Sequence, residues 1–187
     1  MNNGVSNAEQ LDAYVALLKS YNQTTNIYSA KAYDHLPFHI RNCEILSELI
    51  GPGPVQIVDM GSGSGLPAIV LSICLPQAKV MAVESKTRKT RFLDAVKQSL
   101  TLDNLTVMNA DIMSLIRNQT VQPDIITAKA FAPYLKVISI GKKLARRGTR
   151  LLIPISQAQY EQVDIKTNPK IKCLNPHSGH YFLSTLF

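Results

Sequence analysis

Gly61-Ser62-Gly63-Ser64-Gly65 alternates glycine with serine directly after an apolar run that closes on Asp59-Met60. Glycine admits φ > 0 and lets a ligand lie against bare backbone, and a helix beginning just after such a turn presents unpaired N–H groups. The turn alone does not name its ligand, because dinucleotide sites place G-x-G-x-x-G at the same strand–helix junction. Here the third glycine comes one residue early, and Leu66 stands where close approach of a pyrophosphate requires glycine. A methionine carboxylate and a ribose need that closeness less. Asp59 ends the first apolar run, Glu84 ends the next one 19 residues after Gly65, and Asp111 follows the third. A carboxylate at the position of Glu84 accepts from both ribose hydroxyls and repels a 2′-phosphate, which disfavours NADP. Asp111 is placed to contact an adenine amine. Each acid alone also fits a helix cap. Three of them at successive strand ends around this turn predict a site for S-adenosyl-L-methionine formed by Asp59, Gly61, Ser62, Gly63, Gly65, Glu84 and Asp111.

These groups need a scaffold that brings several strand ends together. Short apolar runs at 55–60, 79–84, 105–110, 124–130 and 149–155 read as strands, and the segments 66–75, 87–100, 112–118 and 133–147 between them read as helices. Such alternation implies right-handed βαβ units around a parallel sheet. Two further apolar runs, 171–174 and 181–187, flank Asn175-Pro176-His177-Ser178-Gly179 and read as an antiparallel pair at the sheet edge. The expected fold is α/β: a doubly wound, mostly parallel seven-stranded sheet. Before it, apolar residues at helical spacing predict helices over 7–21 and from Pro37 to Ile50, closed by Gly51-Pro52-Gly53-Pro54. That linker divides the chain into an expected N-terminal helical extension, residues 1–50, and a cofactor-binding domain, residues 51–187.

At 187 residues with 45% hydrophobic and 18% charged side chains, the composition is that of an ordinary folded protein. Cys43, Cys74 and Cys173 lie far apart without metal or redox spacing, no apolar run reaches membrane-span length, and the first residues lack a signal-peptide core. A cytoplasmic monomer, without metal or membrane attachment, is expected. The net charge is +7, and it is clustered: Lys86, Arg88, Lys89 and Arg91 follow Glu84, and no acid occurs between Asp124 and Glu161 while Lys142, Lys143, Arg146 and Arg147 do. On a helix over 133–147 the last four share a face. Clustered bases attract polyanions, so both groups are expected to contact nucleic acid, the alternative being a solvated surface.

In this fold the acceptor lies at the end of the fourth strand, here Thr127-Ala128-Lys129-Ala130-Phe131. No acid, cysteine or Asn-Pro-Pro segment stands there, which suits an acceptor with an available lone pair and no proton to lose, such as guanine N7. Phe131 reads either as a base-stacking group or as a core aromatic. His39 lies beside the apolar stripe of its helix, where a buried, hydrogen-bonded ring is the plain structural reading; His35, His177 and His180 suggest no metal site.

From about Leu11 to Leu152 the chain resembles the bacterial small-subunit (16S) ribosomal RNA guanine-N7 methyltransferases, the glucose-inhibited division protein B family. The shared features are Asn26-Ile27, His39-Ile40, the run from Asp59 to Pro67, Glu84-Ser85, Arg88-Lys89, Arg91-Phe92-Leu93 and Ala128-Lys129-Ala130. The resemblance implies a Rossmann-like class I methyltransferase acting on small-subunit ribosomal RNA or the small ribosomal subunit. It implies cofactor contacts from Gly61, Leu66, Ala110 and Asp111, and places Asn26, His39 and Lys129 near the target guanine or the methyl donor. The chain departs from the family's usual Asp-Ser at Asn42-Cys43, Pro-Gly at Pro67-Ala68, and Arg at Lys129; an Arg usual before Asp111 is absent. A non-catalytic RNA-binding module, or a methyltransferase for a small molecule or protein, are the alternatives.

Overall fold

In the computed structural model, residues 5–118, 121–163 and 170–187 are described. Seven strands form one sheet: β1 (Gln56–Met60), β2 (Lys79–Glu84), β3 (Leu105–Asn109), β4 (Ile125–Thr127), β5 (Arg150–Ile155), β6 (Ile171–His177) and β7 (His180–Leu186). Their order is β3-β2-β1-β4-β5-β7-β6. The first five run parallel; β7 lies antiparallel between β5 and β6. The order reverses between β1 and β4, and the crevice at their carboxyl ends is where an open α/β sheet binds ligands.

Among the described residues seven helices accompany the sheet: α1 (Asn7–Asn22), α2 (Leu36–Ile50), α3 (Ala68–Cys74), α4 (Thr87–Ser99), α5 (Ile112–Asn118), α6 (Tyr134–Leu144) and α7 (Gln157–Gln162), with a 3-10 turn over Ala30–His35. One core joins Tyr14, Leu18, Leu46, Ile69 and Phe92 from α1–α4 to Ile57, Val80 and Ala82 of the sheet. The other joins Leu115, Val137 and Leu144 from α5 and α6 to Val58, Met60, Ile126 and Ile153. Alternate residues of β1 therefore enter opposite cores, as the period of two in a strand requires. No helix among the described residues is long and apolar enough to cross a membrane.

The sheet, its mostly parallel sense and the terminal hairpin agree with the sequence reading; several boundaries differ. β4 stops at Thr127, because Ala130 turns to φ +53 and ends the extended run. α3 begins at Ala68, with Pro67 as its N-cap. α6 ends at Leu144: Ala145 is extended, and Arg146 turns back to bond Asp124. Arg146 and Arg147 therefore lie beyond the helix and do not share its face with Lys142 and Lys143. β6 runs on through Pro176, which an edge strand tolerates. The 3-10 turn and α7, at six residues each, are too short to leave a periodic signal.

Candidate functional site

The glycine turn leaves β1 and reaches over β2: the N–H groups of Gly61 and Ser62 both donate to Val83 O, at 2.9 and 3.0 Å. Its three glycines all have φ > 0, at +73, +58 and +97 for Gly61, Gly63 and Gly65, but for different neighbours. A Cβ on Gly61 would run into the Phe131 ring, and one on Gly65 into Ile69 and Leu93; one on Gly63 would meet only Gly61 O and Lys89 Nζ, each at 3.7 Å. The outer glycines thus admit protein side chains, while Gly63 leaves backbone open to the cleft. Phe131 is half-buried: it packs against the second core beside Gly61 and also borders the cleft.

Glu84, 7% exposed, accepts from Gly63 N–H at 3.0 Å through Oε2 and from Lys86 N–H at 2.8 Å through Oε1. It braces the glycine turn against the start of α4, and one carboxylate has enough lone pairs to accept further hydroxyl donors. Asp111 Oδ1 accepts from Met113 N–H at 2.7 Å, so this acid does cap α5. Gly61, Val83, Glu84, Lys86, Lys89, Ala110, Asp111 and Phe131 line one cleft of about 310 Å³. The structure therefore gathers Gly61, Glu84, Ala110 and Asp111, from three strand ends, with two of the basic residues.

Behind the turn lies a second group of side chains. Asp59 is 0% exposed, and neither carboxylate oxygen has a hydrogen-bond partner; Thr127, its register neighbour on β4, has a buried, unpartnered hydroxyl. Burial raises the Asp59 carboxyl to about 7, with Ser62 and Ala68 opposing. Burial lowers the Lys129 ammonium, against the pull of Cys43 and Asp59, and it raises the Cys43 thiol. His39, at the first turn of α2, is brought down to about 4 by burial, then by Lys129 and His35. Its ring is neutral at neutral pH, and Nδ1 is buried without a partner. Asp59, Lys129, Cys43 and His39 thus share one electrostatic neighbourhood, although 90 residues separate His39 from Lys129 in sequence.

Two positioning residues escaped the sequence reading. Tyr14 in α1, fully buried, donates its hydroxyl to Ser64 O at 2.8 Å and so ties the first helix to the glycine turn. Asn22 accepts from the N–H groups of Ile27 and Tyr28, at 2.7 and 3.0 Å, and donates to Tyr28 O at 2.8 Å. That shapes the loop on which Asn26 is exposed. A buried tyrosine inside an apolar stripe, and an asparagine just before a Thr-Thr-Asn loop, were the available signals.

The basic residues separate into two places. Lys86 and Lys89 line the cleft, and Arg88 and Arg91 are exposed on the same helix start. Arg146 lies at the opposite, amino-terminal end of the central strands, next to Lys142, Lys143 and Arg147: it pairs with Asp124, which precedes β4 and accepts from Gln56 N–H where β1 begins. Among the described residues no group of three His, Cys, Asp or Glu is arranged to hold a metal ion.

Known proteins share both the scaffold and the sequence. The fold is similar to a methyltransferase from Geobacter sulfurreducens, TM-score 0.66 at 12% identity, over 94% of this chain and 89% of that one. It is also similar to Aeropyrum pernix fibrillarin in complex with S-adenosyl-L-methionine, TM-score 0.56 at 18% identity, over 77% and 73%. Proteins named ribosomal RNA small subunit methyltransferase G are 32% identical over 67% of this chain in Corynebacterium glutamicum strain R and 31% over 89% in Acholeplasma laidlawii. The matched region covers 56% and 72% of those two proteins and 47% of the Thermobifida fusca protein, so the chain spans about half the length of several relatives it matches. The model of the rRNA small subunit methyltransferase G family (GidB) matches residues 7–178, and the chain belongs to that family.

Proposed function

We propose that this chain transfers a methyl group from S-adenosyl-L-methionine to guanine N7 in small-subunit ribosomal RNA. The observation that carries the cofactor is Asp59: a wholly buried carboxyl with two unpartnered oxygens, under a glycine turn, is a costly arrangement unless a cationic donor completes it. The ammonium of the methionine moiety is such a donor, and the Thr127 hydroxyl beside it is a second unfilled partner. Glu84 would accept from the ribose hydroxyls, Ala110 and Asp111 would border the adenine, and the open face of Gly63 would let the cofactor lie on the turn. Leu66, Ser62 and Gly65 hold the turn's shape from beneath.

When bound, the cofactor supplies an electrophilic methyl group on a sulfonium. The methyl would pass to the guanine N7 lone pair, the S–C electron pair remaining on sulfur, with no proton to transfer. The chain's task is then placement, which can supply roughly 7–11 kcal/mol of the barrier. Lys129, two residues past the end of the strand next to β1, donates to guanine O6 and leaves N7 free; adenine presents a donor there and is rejected. His39, neutral, packs beside Lys129 without adding a second positive charge as the guanine ring becomes cationic. Asn26 closes the pocket from its loop. Lys86, Arg88, Lys89 and Arg91 take phosphates beside the cleft; Lys142, Lys143 and Arg147 form a second phosphate contact across the sheet, with Arg146 committed largely to Asp124. The family relationship supports the RNA substrate, and the two basic groups fit a polyanion larger than the cleft.

The test is tritiated-methyl transfer to small ribosomal subunits that lack the modification. Lys129→Ala should lower the rate roughly ten- to hundredfold, the loss of one charge-assisted contact. Lys129→Arg should match or exceed the unaltered protein. Equal rates for all three would remove Lys129 from the site, and no transfer by the unaltered protein would refute the methylation reading.

A further inference from the structure

One aromatic surface beside His39 takes no part in the proposed transfer. Phe38, in the first turn of α2, is 44% exposed, the one aromatic among the large hydrophobic side chains exposed in the described residues. Its ring stacks on His180 at the start of β7, with centroids 4.8 Å apart and planes 16° from parallel. His180 is held in place by Asn42, whose Oδ1 lies 2.9 Å from His180 Nδ1. Phe38 also meets the edge of the His39 ring, at 5.8 Å and 65°. The stack therefore adjoins the group proposed to hold the target guanine, and reaches outward from it into solvent.

An apolar ring that only filled the core would be buried; this one is left open on a stack that two distant elements build. Its surroundings do not repel phosphate. The carboxylates of Glu44 and Glu48 are bonded to Arg41 at 3.5 and 3.1 Å, and Glu48 lies 3.4 Å from His177. The chain as a whole carries +7. Aromatic faces of this kind hold unpaired bases of any sequence, while nearby bases hold the backbone. We propose that the Phe38–His180 stack is a platform for an unpaired nucleobase next to the methylated guanine in the substrate RNA. The inference rests on the RNA-methylation reading but uses residues outside the transfer site.

The chain contains no tryptophan, so Phe38→Trp places a single indole reporter on the platform. A short single-stranded, guanine-containing RNA oligonucleotide should quench its emission, and the same oligonucleotide annealed into a duplex should leave it unchanged at equal concentration. Phe38→Leu keeps an apolar side chain and removes the aromatic face. It should weaken oligonucleotide binding roughly tenfold and raise KM for small subunits with little change in kcat, while S-adenosylhomocysteine binds as before. Phe38→Tyr should restore binding. An indole not quenched at RNA concentrations that saturate the unaltered protein overturns the platform, as does Phe38→Leu binding RNA normally. Normal methyl transfer with no quenching would remove the platform alone. Quenching without any methyl transfer would keep the platform and refute the methylation reading.

Discussion

Asp59→Asn should stabilise the ligand-free protein while removing its affinity for the cofactor. The Asp59 carboxyl lies at about 7 in the folded chain against an ordinary 3.8, because burial disfavours its charged form by more than Ser62 and Ala68 favour it. Between those two values the folded state holds a proton that the unfolded state has lost, so folding stability falls as pH rises from about 4 to about 7. At about 1.4 kcal/mol per pH unit over that span, the full cost above pH 7 is about 4 kcal/mol. Asparagine escapes the charge but keeps an unpartnered buried amide, which costs about 1–3 kcal/mol. A net gain of about 1–3 kcal/mol at pH 8 is expected, or several degrees in Tm for a chain of this size, at about 2–4 °C per kcal/mol. At pH 5 the wild-type carboxyl is protonated in the folded state, and most of the gain should vanish. S-adenosylhomocysteine at 100 times its Kd should add about 2.7 kcal/mol to the wild type and far less to Asp59→Asn. Thermal unfolding of both proteins at pH 5 and pH 8, with and without this ligand, reads all four states. A variant that is less stable than wild type at pH 8 would show that the ionised Asp59 carboxylate is held favourably by Lys129, and the reasoning would fail.

Tyr14→Phe removes the hydroxyl that anchors Ser64 O; it should cost about 1–2 kcal/mol in urea unfolding and weaken S-adenosylhomocysteine binding in calorimetry, by loosening the glycine turn from outside the cleft. Gly65→Ala sets a Cβ into Ile69 and Leu93 at φ +97 and should destabilise by at least about 2 kcal/mol, whereas Gly63→Val, facing open space, should abolish ligand binding at a smaller loss of Tm. Reversing Lys142 and Lys143 to glutamate should flatten the salt dependence of RNA binding by roughly one unit per lost phosphate contact, with ligand affinity unchanged because the pair lies across the sheet from the cleft.

The parts of the site that the sequence made legible are those whose chemistry is local. The glycine turn, Glu84 and Asp111 each sit at a strand end, and a strand end is visible from a few neighbouring residues. The contacts that complete the site are long-range, and no local pattern encodes them: Tyr14 reaches Ser64, Phe131 covers Gly61, and Asn42 meets His180. Asn42 also shows why a departure from a family pattern says little by itself, since its side chain finds a partner on the terminal hairpin. The basic residues illustrate the opposite error. Placing Arg146 and Arg147 on the face of α6 assumed that a helical period continues until a breaker appears, and none does at Ala145. Ala145 turns extended, and the Arg146 N–H donates to Thr149 Oγ1 rather than back into the helix.

The glycine turn itself carries more than one demand, which is why its pattern resembles that of dinucleotide sites without matching it. Gly65 is needed by the packing of α3 and α4 against the sheet, and any fold of this type needs a small residue where a helix crosses so close. Gly61 is needed by Phe131, in the segment that follows β4. Only Gly63 leaves its face open for a ligand, and its N–H already braces Glu84. The sides proposed for cofactor and acceptor are therefore joined through backbone: the segment after β4 lies on the first glycine, Glu84 holds the second, and α1 pins the serine between the second and third. A change at any of these three anchors should move the methyl donor relative to the guanine, and for a reaction driven by placement that displacement costs rate even where both ligands still bind.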